Sequence, residues 1–254
     1  MLEILHRDDY LVAIHKPAGL LVHRSMIDRH EQRFAVQLLR DQLGRHVYPV
    51  HRLDKGTSGI LLFGLDPHSA ASLGQRFERG DVGKRYLAIV RGHPPAEGLI
   101  DHPLSRRTDA YAPRGHTRPD RPGDETQTAQ TRFRSLATVE LPYAVDRYPT
   151  SRYALVALMP ITGRRHQLRR HMKHLSHPII GDTSYGKGRH NRFFAAHYGC
   201  QRLLLACVGL CFEHPATNEQ LELRTRPSPD FEGIATALGW RDALQAGLCA
   251  AADS

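Results

Sequence analysis

Apolar residues in this chain come in short runs broken by turn signals, and that pattern confines the fold to packed layers of strands and helices. Ile60 to Leu65 is the clearest run and has the length of a strand. Before it, Glu3 to Leu5, a turn at Arg7-Asp8-Asp9 and Tyr10 to Ile14 read as a hairpin that Lys16-Pro17-Ala18-Gly19 ends. After it, Asp66 and Pro67 offer an N-cap and a first-turn proline for a helix running to Arg79, with Gly80 as its stop. Further strands are expected at Lys84 to Val90, Thr131 to Glu140, Tyr153 to Met159 and Leu221 to Arg224. Helices are expected at Glu31 to Leu43, Arg165 to Leu175 and Phe231 to Trp240. The links look like hairpins rather than regular strand-helix repeats, so the expected class is α+β with a mainly antiparallel mixed sheet. All 254 residues are read as one domain, with the proline-rich stretch 93–128 as a loop-rich excursion.

The first residues show neither a basic start with a long apolar run nor a small-residue cleavage site. Apolar runs stay far below the roughly 20 residues of a membrane-spanning helix, so a soluble cytoplasmic protein away from membranes is expected; a monomer is expected besides. Lys and Arg number 35 against 26 Asp and Glu, a formal charge of +9 that suits a polyanionic partner. The excess is concentrated. From Arg147 to Gly181 there are seven basic residues and no acid. The four cysteines lie in the last quarter of the chain, and Cys207 and Cys211 could share a helix face near His197 and His214. Their spacing matches no paired metal motif, so buried free thiols are expected and no metal or cofactor is assigned.

Three segments carry candidate chemistry. In His51-Arg52-Leu53-Asp54-Lys55-Gly56-Thr57-Ser58-Gly59 an acid sits among bases ahead of a turn-prone stretch. Lys84-Arg85-Tyr86 places an aromatic on a strand, and Thr162 to His171 carries a dense basic helix. In that helix Leu168, Met172 and Leu175 should face the core while Arg165, Arg169 and Lys173 share another side. On spacing alone the plainer readings are favoured: a surface ion pair, a core tyrosine and a solvated basic face.

Taken together, these segments resemble the RluA family of pseudouridine synthases. HRLDKGTSG matches the family's catalytic motif, KRYLAIVRG its tyrosine strand, and ITGRRHQLRRHMKHLSHPIIGD its third motif. HKPAGLLVH, residues 15 to 23, resembles the opening motif, with His15 where the family usually has Asn. LVHRS and GRHNRFFAAHYGCQRL are most similar to the branch that modifies uridine 65 of transfer RNA. Lys55-Gly56 departs from the Arg-Pro common there, and the amino-terminal S4 domain of many relatives is not expected.

The resemblance implies a single pseudouridine synthase domain, a transfer RNA partner and no cofactor. It implies Asp54 as the catalytic carboxylate, Arg169 as the arginine that keeps it charged and fixed, and Tyr86 as the ring that stacks on the target base and serves as a late base for its C5 proton. Arg52 would enter the RNA in place of a flipped base. His51 and Thr57 would shape the Asp54 turn, and Leu168 would pack on the flipped ring. His166 and Gln167 belong to the RNA-facing set through the motif, and Arg164, Arg165, Arg170 and Lys173 by charge. Three alternatives stand beside this reading: a ribosomal RNA synthase of the same family, a non-catalytic RNA-binding module, and a metal-dependent RNA hydrolase.

Overall fold

The computed structural model describes residues 1–23, 31–106 and 125–249. A hairpin opens the chain, β1 (Glu3–Arg7) and β2 (Leu11–Lys16), followed by helix α1 (Ala35–Leu43) and the short β3 (Tyr48–Pro49). Strand β4 (Ser58–Gly64) leads into α2 (Pro67–Arg79), then β5 (Gly83–Arg91), β6 (Glu97–Asp101) and β7 (Leu104–Ser105). Next come β8 (Thr126–Gln127), β9 (Gln130–Leu141), β10 (Ser151–Pro160), α3 (Gln167–His174) and α4 (Gly188–Tyr198). The remainder is β11 (Leu205–Glu213), β12 (Gln220–Arg224), α5 (Pro229–Ala237) and α6 (Arg241–Cys249).

Ten strands form one sheet in the order β1-β2-β4-β11-β5-β10-β9-β6, with β12 beside β11 and β3 beside β4. Among the described strands only the β4–β11 pair is parallel, so the α+β, mainly antiparallel expectation agrees with the architecture. Alternation along β5 splits the core. Leu87 and Ile89 point to one face, where Phe194 of α4, Phe231 and Ile234 of α5 and Leu244 of α6 cover them. Ala88 and Val90 point to the other, against Leu168 and Met172 of α3. A third cluster joins β2 and β4 to Leu39 of α1 and Leu73 of α2. Every residue of β4 is buried, as expected of a strand covered on both faces.

Asp66 caps α2 by accepting from Ser69 N at 2.9 Å, Pro67 opens it and Gly80 closes it at φ 86°, as the sequence implies. Other boundaries differ. Helix α1 begins at Ala35 rather than Glu31, and α3 at Gln167 rather than Arg165, because His166 sits in the left-handed region at φ 55°. The expected final helix ends at Ala237 and a second, α6, follows Gly239. Cys207 and Cys211 lie on strand β11, not on a helix. Within 93–128 the loop-rich expectation is corrected in part, because β6 is a ladder strand on β9; residues 107–124 lie outside the described set.

Candidate active site

Asp54 lies on the loop between β3 and β4, and several backbone contacts fix it there. Thr57 N donates to Asp54 O at 3.0 Å, closing a tight turn, with the Thr57 side chain buried. Gly19 N donates to Lys55 O at 2.7 Å. The fully buried Lys16 ammonium donates to the carbonyls of Pro17, Leu20 and Lys55 at 2.9, 2.8 and 3.3 Å. The HKPAG segment therefore braces the Asp54 turn. Burial brings Lys16 down to about 7, with the Asp54 charge working against that shift. Gly59 just beyond has φ +107°, and a Cβ there would lie 1.9 Å from Cys207 O, so only glycine lets β4 pass β11 so closely.

His51 reads as a brace. Its Nε2 accepts from Leu62 N at 3.1 Å, and its ring stacks on Phe77 with centroids 4.4 Å apart. Burial lowers it to about 3, so it is neutral near pH 7. Arg52 is exposed beside it.

Helix α3 brings the partner for Asp54. Arg169 donates from Nη1 to Asp54 Oδ2 at 3.1 Å, and the same guanidinium donates from Nε and Nη2 to Asp182 at 2.7 and 2.9 Å. Burial works against the Arg169 charge, but Asp182 and Asp54 more than offset it and raise its affinity for the proton. Asp182, with 1% of its side chain exposed, is pushed up by burial yet held below the ordinary carboxylate range by Arg169 and the N–H groups of Tyr185 and Ser184. His166 places Nε2 at 3.8 Å from Asp54 Oδ1 and Nδ1 at 3.0 Å from the Tyr185 hydroxyl. Burial lowers His166 to about 4, with Asp54 opposing, so it too is neutral. The Arg169 guanidinium also lies 5.1 Å from the centre of the Tyr185 ring.

Asp54, 21% exposed, lines two adjoining cavities, one of about 320 Å³ and one of about 590 Å³. The smaller one is walled by Tyr86, Leu168, Leu205 and Arg169. Tyr86 stands on β5, and burial, with Cys207 and Asp54 adding to it, holds its phenol well above the ordinary value. The larger cavity brings Lys55, Arg165, Gln201 and Arg202 to the other side of Asp54. A cleft so shaped can hold a planar ring against an aromatic on one side and a polyanionic backbone against cations on the other.

The expected residues line these two cavities except for Arg170 and Lys173. Arg170 is buried and donates from Nη1 and Nη2 to the carbonyl and hydroxyl of Ser105 at 3.1 and 2.9 Å, so it ties α3 to β7 rather than facing phosphates. Charge alone had placed it on the surface. Gln167 is likewise buried, accepting from Arg164 N and Thr162 Oγ1 and donating to Gln130 O and Thr131 Oγ1, which shapes the turn into α3. Arg164, though exposed, spends its Nε on Thr128 O at 3.0 Å, and Lys173 lies exposed above Tyr185. Sequence reasoning passed over Asp182 and Tyr185. The available signal was that Asp182 is the first acid after the basic run from Arg147.

The RNA pseudouridylate synthase family model matches residues 10–174. A protein of Pasteurella multocida called tRNA pseudouridine synthase C is 54% identical over 222 residues, 87% of this chain and 90% of that one. Its namesake from Vibrio cholerae is 46% identical over 96% of this chain and 98% of its own length. The chain spans 64% of the length of another, from Pectobacterium carotovorum, at 48% identity. Among solved structures, human RNA pseudouridylate synthase domain-containing proteins 1 and 4 are both 27% identical, with TM-scores of 0.68 over 90% and 93% of this chain. They cover 84% and 93% of those human chains.

Proposed function

The chain belongs to the RNA pseudouridylate synthase family, and we propose that it converts a uridine of transfer RNA, uridine 65, to pseudouridine. The observation that supports this most is the Asp54 carboxylate, anchored by Arg169 where a ring-sized apolar cleft meets a basic one. Such a cleft suits a nucleotide swung out of its stack, which costs a few kcal/mol and makes the sugar accessible. The reaction breaks N1–C1′, turns the uracil over, joins C5 to C1′ and moves the C5 proton away. The C5 proton passes to solvent and N1 takes one up, so substrate and product are isomers, and no redox step or group donor calls for a cofactor.

Asp54 is assigned to assist departure or capture of the base through the ribose or the ring. Arg169 holds that carboxylate charged and aimed. Tyr86 and Leu168 sandwich the ring, and a phenol kept protonated by burial favours stacking over proton removal for Tyr86. Arg52 fills the gap left in the RNA. His51, Thr57, His166 and Gln167 shape the pocket, while Arg164, Arg165 and Lys173 contact the RNA. Transfer RNA is favoured over ribosomal RNA because the relatives are called tRNA pseudouridine synthase C. Residues 1–254 are taken as one catalytic domain that works as a monomer in the cytoplasm; among the described residues no helix is long and apolar enough to cross a membrane.

Pseudouridine mapping of total RNA from a strain lacking this gene tests the proposal. Loss of one signal at position 65 of transfer RNA is expected, restored by the intact gene. An unchanged transfer RNA pattern with a lost ribosomal RNA site would transfer the assignment to the alternative.

A further inference from the structure

The ring-sized cavity has a second cation at its far end, on the strand that carries Tyr86. Lys84 and Tyr86 stand two residues apart on β5, so both project from one face of it, about 7 Å apart along the strand. Both line the cavity of about 320 Å³. Asp54 acts on the Tyr86 phenol, whereas the influences on Lys84 are burial and Cys207. Lys84 is also close enough to His51, stacked on Phe77, to help burial keep that imidazole neutral. It therefore lies past the Tyr86 ring, on the side away from the carboxylate.

Arg164 and Arg169, which line the same cavity, give donors to Thr128 O, Asp54 and Asp182. Lys84 differs. Among the described residues its ammonium has neither a hydrogen bond nor an ion pair. The side chain is partly buried, and burial holds its affinity for the proton below that of an ordinary lysine. A cation drawn out of water without a partner is destabilising, so the arrangement suits an acceptor that arrives from outside.

The isomerisation supplies such an acceptor. When N1–C1′ breaks, its electron pair leaves with the uracil, and the charge spreads from N1 onto O2 and O4. O4 lies across the ring from N1, so a base whose sugar sits at Asp54 directs O4 past Tyr86 towards Lys84. Turning the ring about its N3–C6 axis exchanges N1 with C5 and O4 with O2. C5 then bonds C1′ with a ring electron pair and loses its proton to solvent, and N1 takes one up. The oxygen opposite C1′ is now O2, in the place that O4 held.

We propose that Lys84 is a catalytic residue whose ammonium donates to the base oxygen opposite C1′, O4 before the turn and O2 after it, and stabilises the negative charge of the detached uracil. Carboxylate and ammonium then face the two halves of a bond that separates charge: Asp54 the electron-poor sugar, Lys84 the electron-rich base. Charge fixed in advance inside a cleft that excludes water is effective at this task. The same contact discriminates. Cytosine has an amino donor where uridine has O4, so it would set donor against donor.

This inference rests on the synthase reading, so turnover of a transfer RNA transcript by the unaltered protein is measured first. Absence of that turnover counts against the function, whereas the following outcomes bear on Lys84 alone. Lys84→Met keeps the length of the side chain and removes its charge. Its single-turnover rate should fall by roughly 100-fold with RNA affinity within about 2-fold. On a transcript with 4-thiouridine at the target position, whose sulfur is a poor acceptor, the same change should cost less than about 10-fold. An equal loss on both transcripts would mean that Lys84 only supports the cavity wall, and would overturn the proposal. A loss of affinity as large as the loss of rate, with the salt slope lowered by about 1, would make it a phosphate contact and overturn it too. Should Lys84→Met not fold, Lys84→Arg is compared on the same two transcripts. A larger loss with oxygen than with sulfur supports the contact, and equal losses overturn it.

Discussion

The Arg169 guanidinium reaches Asp54 at 3.1 Å across 115 residues of sequence, and it does so through Nη1, the one nitrogen that Asp182 does not engage. Helix α3 supplies the cation, the loop after β3 supplies the acid, and the loop before α4 supplies the brace. Three separated segments must fold before the pair exists, which makes the pair a sensitive reporter of the whole architecture.

Arg169→Met should destabilise the protein by about 3–5 kcal/mol, because it strands a buried carboxylate without its partner. Adding Asp182→Asn to it should recover part of that loss. Urea unfolding of the single and double variants checks both, and a double variant less stable than Arg169→Met would contradict the account.

Arg52 is exposed at the junction of the two cavities, where it can enter the RNA in place of the extruded base. Arg52→Ala is expected to slow single turnover by roughly 10- to 100-fold while changing RNA affinity by less than about 3-fold. Filter binding and rapid quench measure the two quantities. A loss in affinity alone would reduce Arg52 to a backbone contact.

Two neighbouring arginines should part ways. Arg165→Ala should weaken RNA binding and lower the salt slope of log affinity by about 1, as one phosphate contact requires. Arg170→Ala should leave that slope in place and instead lower the melting temperature, because its donors hold Ser105 inside the fold. Titrations from low to high salt, with melts alongside, separate them.

The pH dependence of stability follows from the buried imidazoles, His51 and His166 at the site and His171 and His190 outside it. Burial lowers both His171 and His190 to about 4 in the folded protein, below an unfolded value near 6.5. Between those values the unfolded chain binds more protons, so stability must fall as pH drops from 6.5 towards 4. Each group contributes up to about 1.4 kcal/mol per pH unit. Below that window the lowered Asp182 adds a loss of the same sign. Urea midpoints at pH 7.5 and 5 give the slope, and equal midpoints would contradict the burial of these rings.

Local signals made much of this legible. Asp66, Pro67 and Gly80 mark α2, and HRLDKGTSG marks the acid on its turn. Other features arise only from contacts distant in sequence. Strand β11 is central, with neighbours on both edges, so Leu205 to Leu210 are buried without polar alternation and carry no period to read. Helix α4 lacks a side-chain cap at Lys187, which hides its start. Arg170 looks like Arg165 in sequence, and only the Ser105 segment returning beneath α3 distinguishes them. Asp182 closes the HPIIGD stretch in sequence, but only the fold shows that it pairs with Arg169.

The most direct trial of the central pair is tritium release from 5-tritiated uridine in a transfer RNA transcript, by the unaltered protein and by Asp54→Asn. Replacing one carboxylate oxygen by an amide leaves the turn and the Arg169 side of the cleft in place. Release is expected to vanish in the variant while RNA binding stays within about 3-fold and the melting curve is preserved. Release at a near-normal rate from a folded Asp54→Asn protein would contradict the assignment of Asp54.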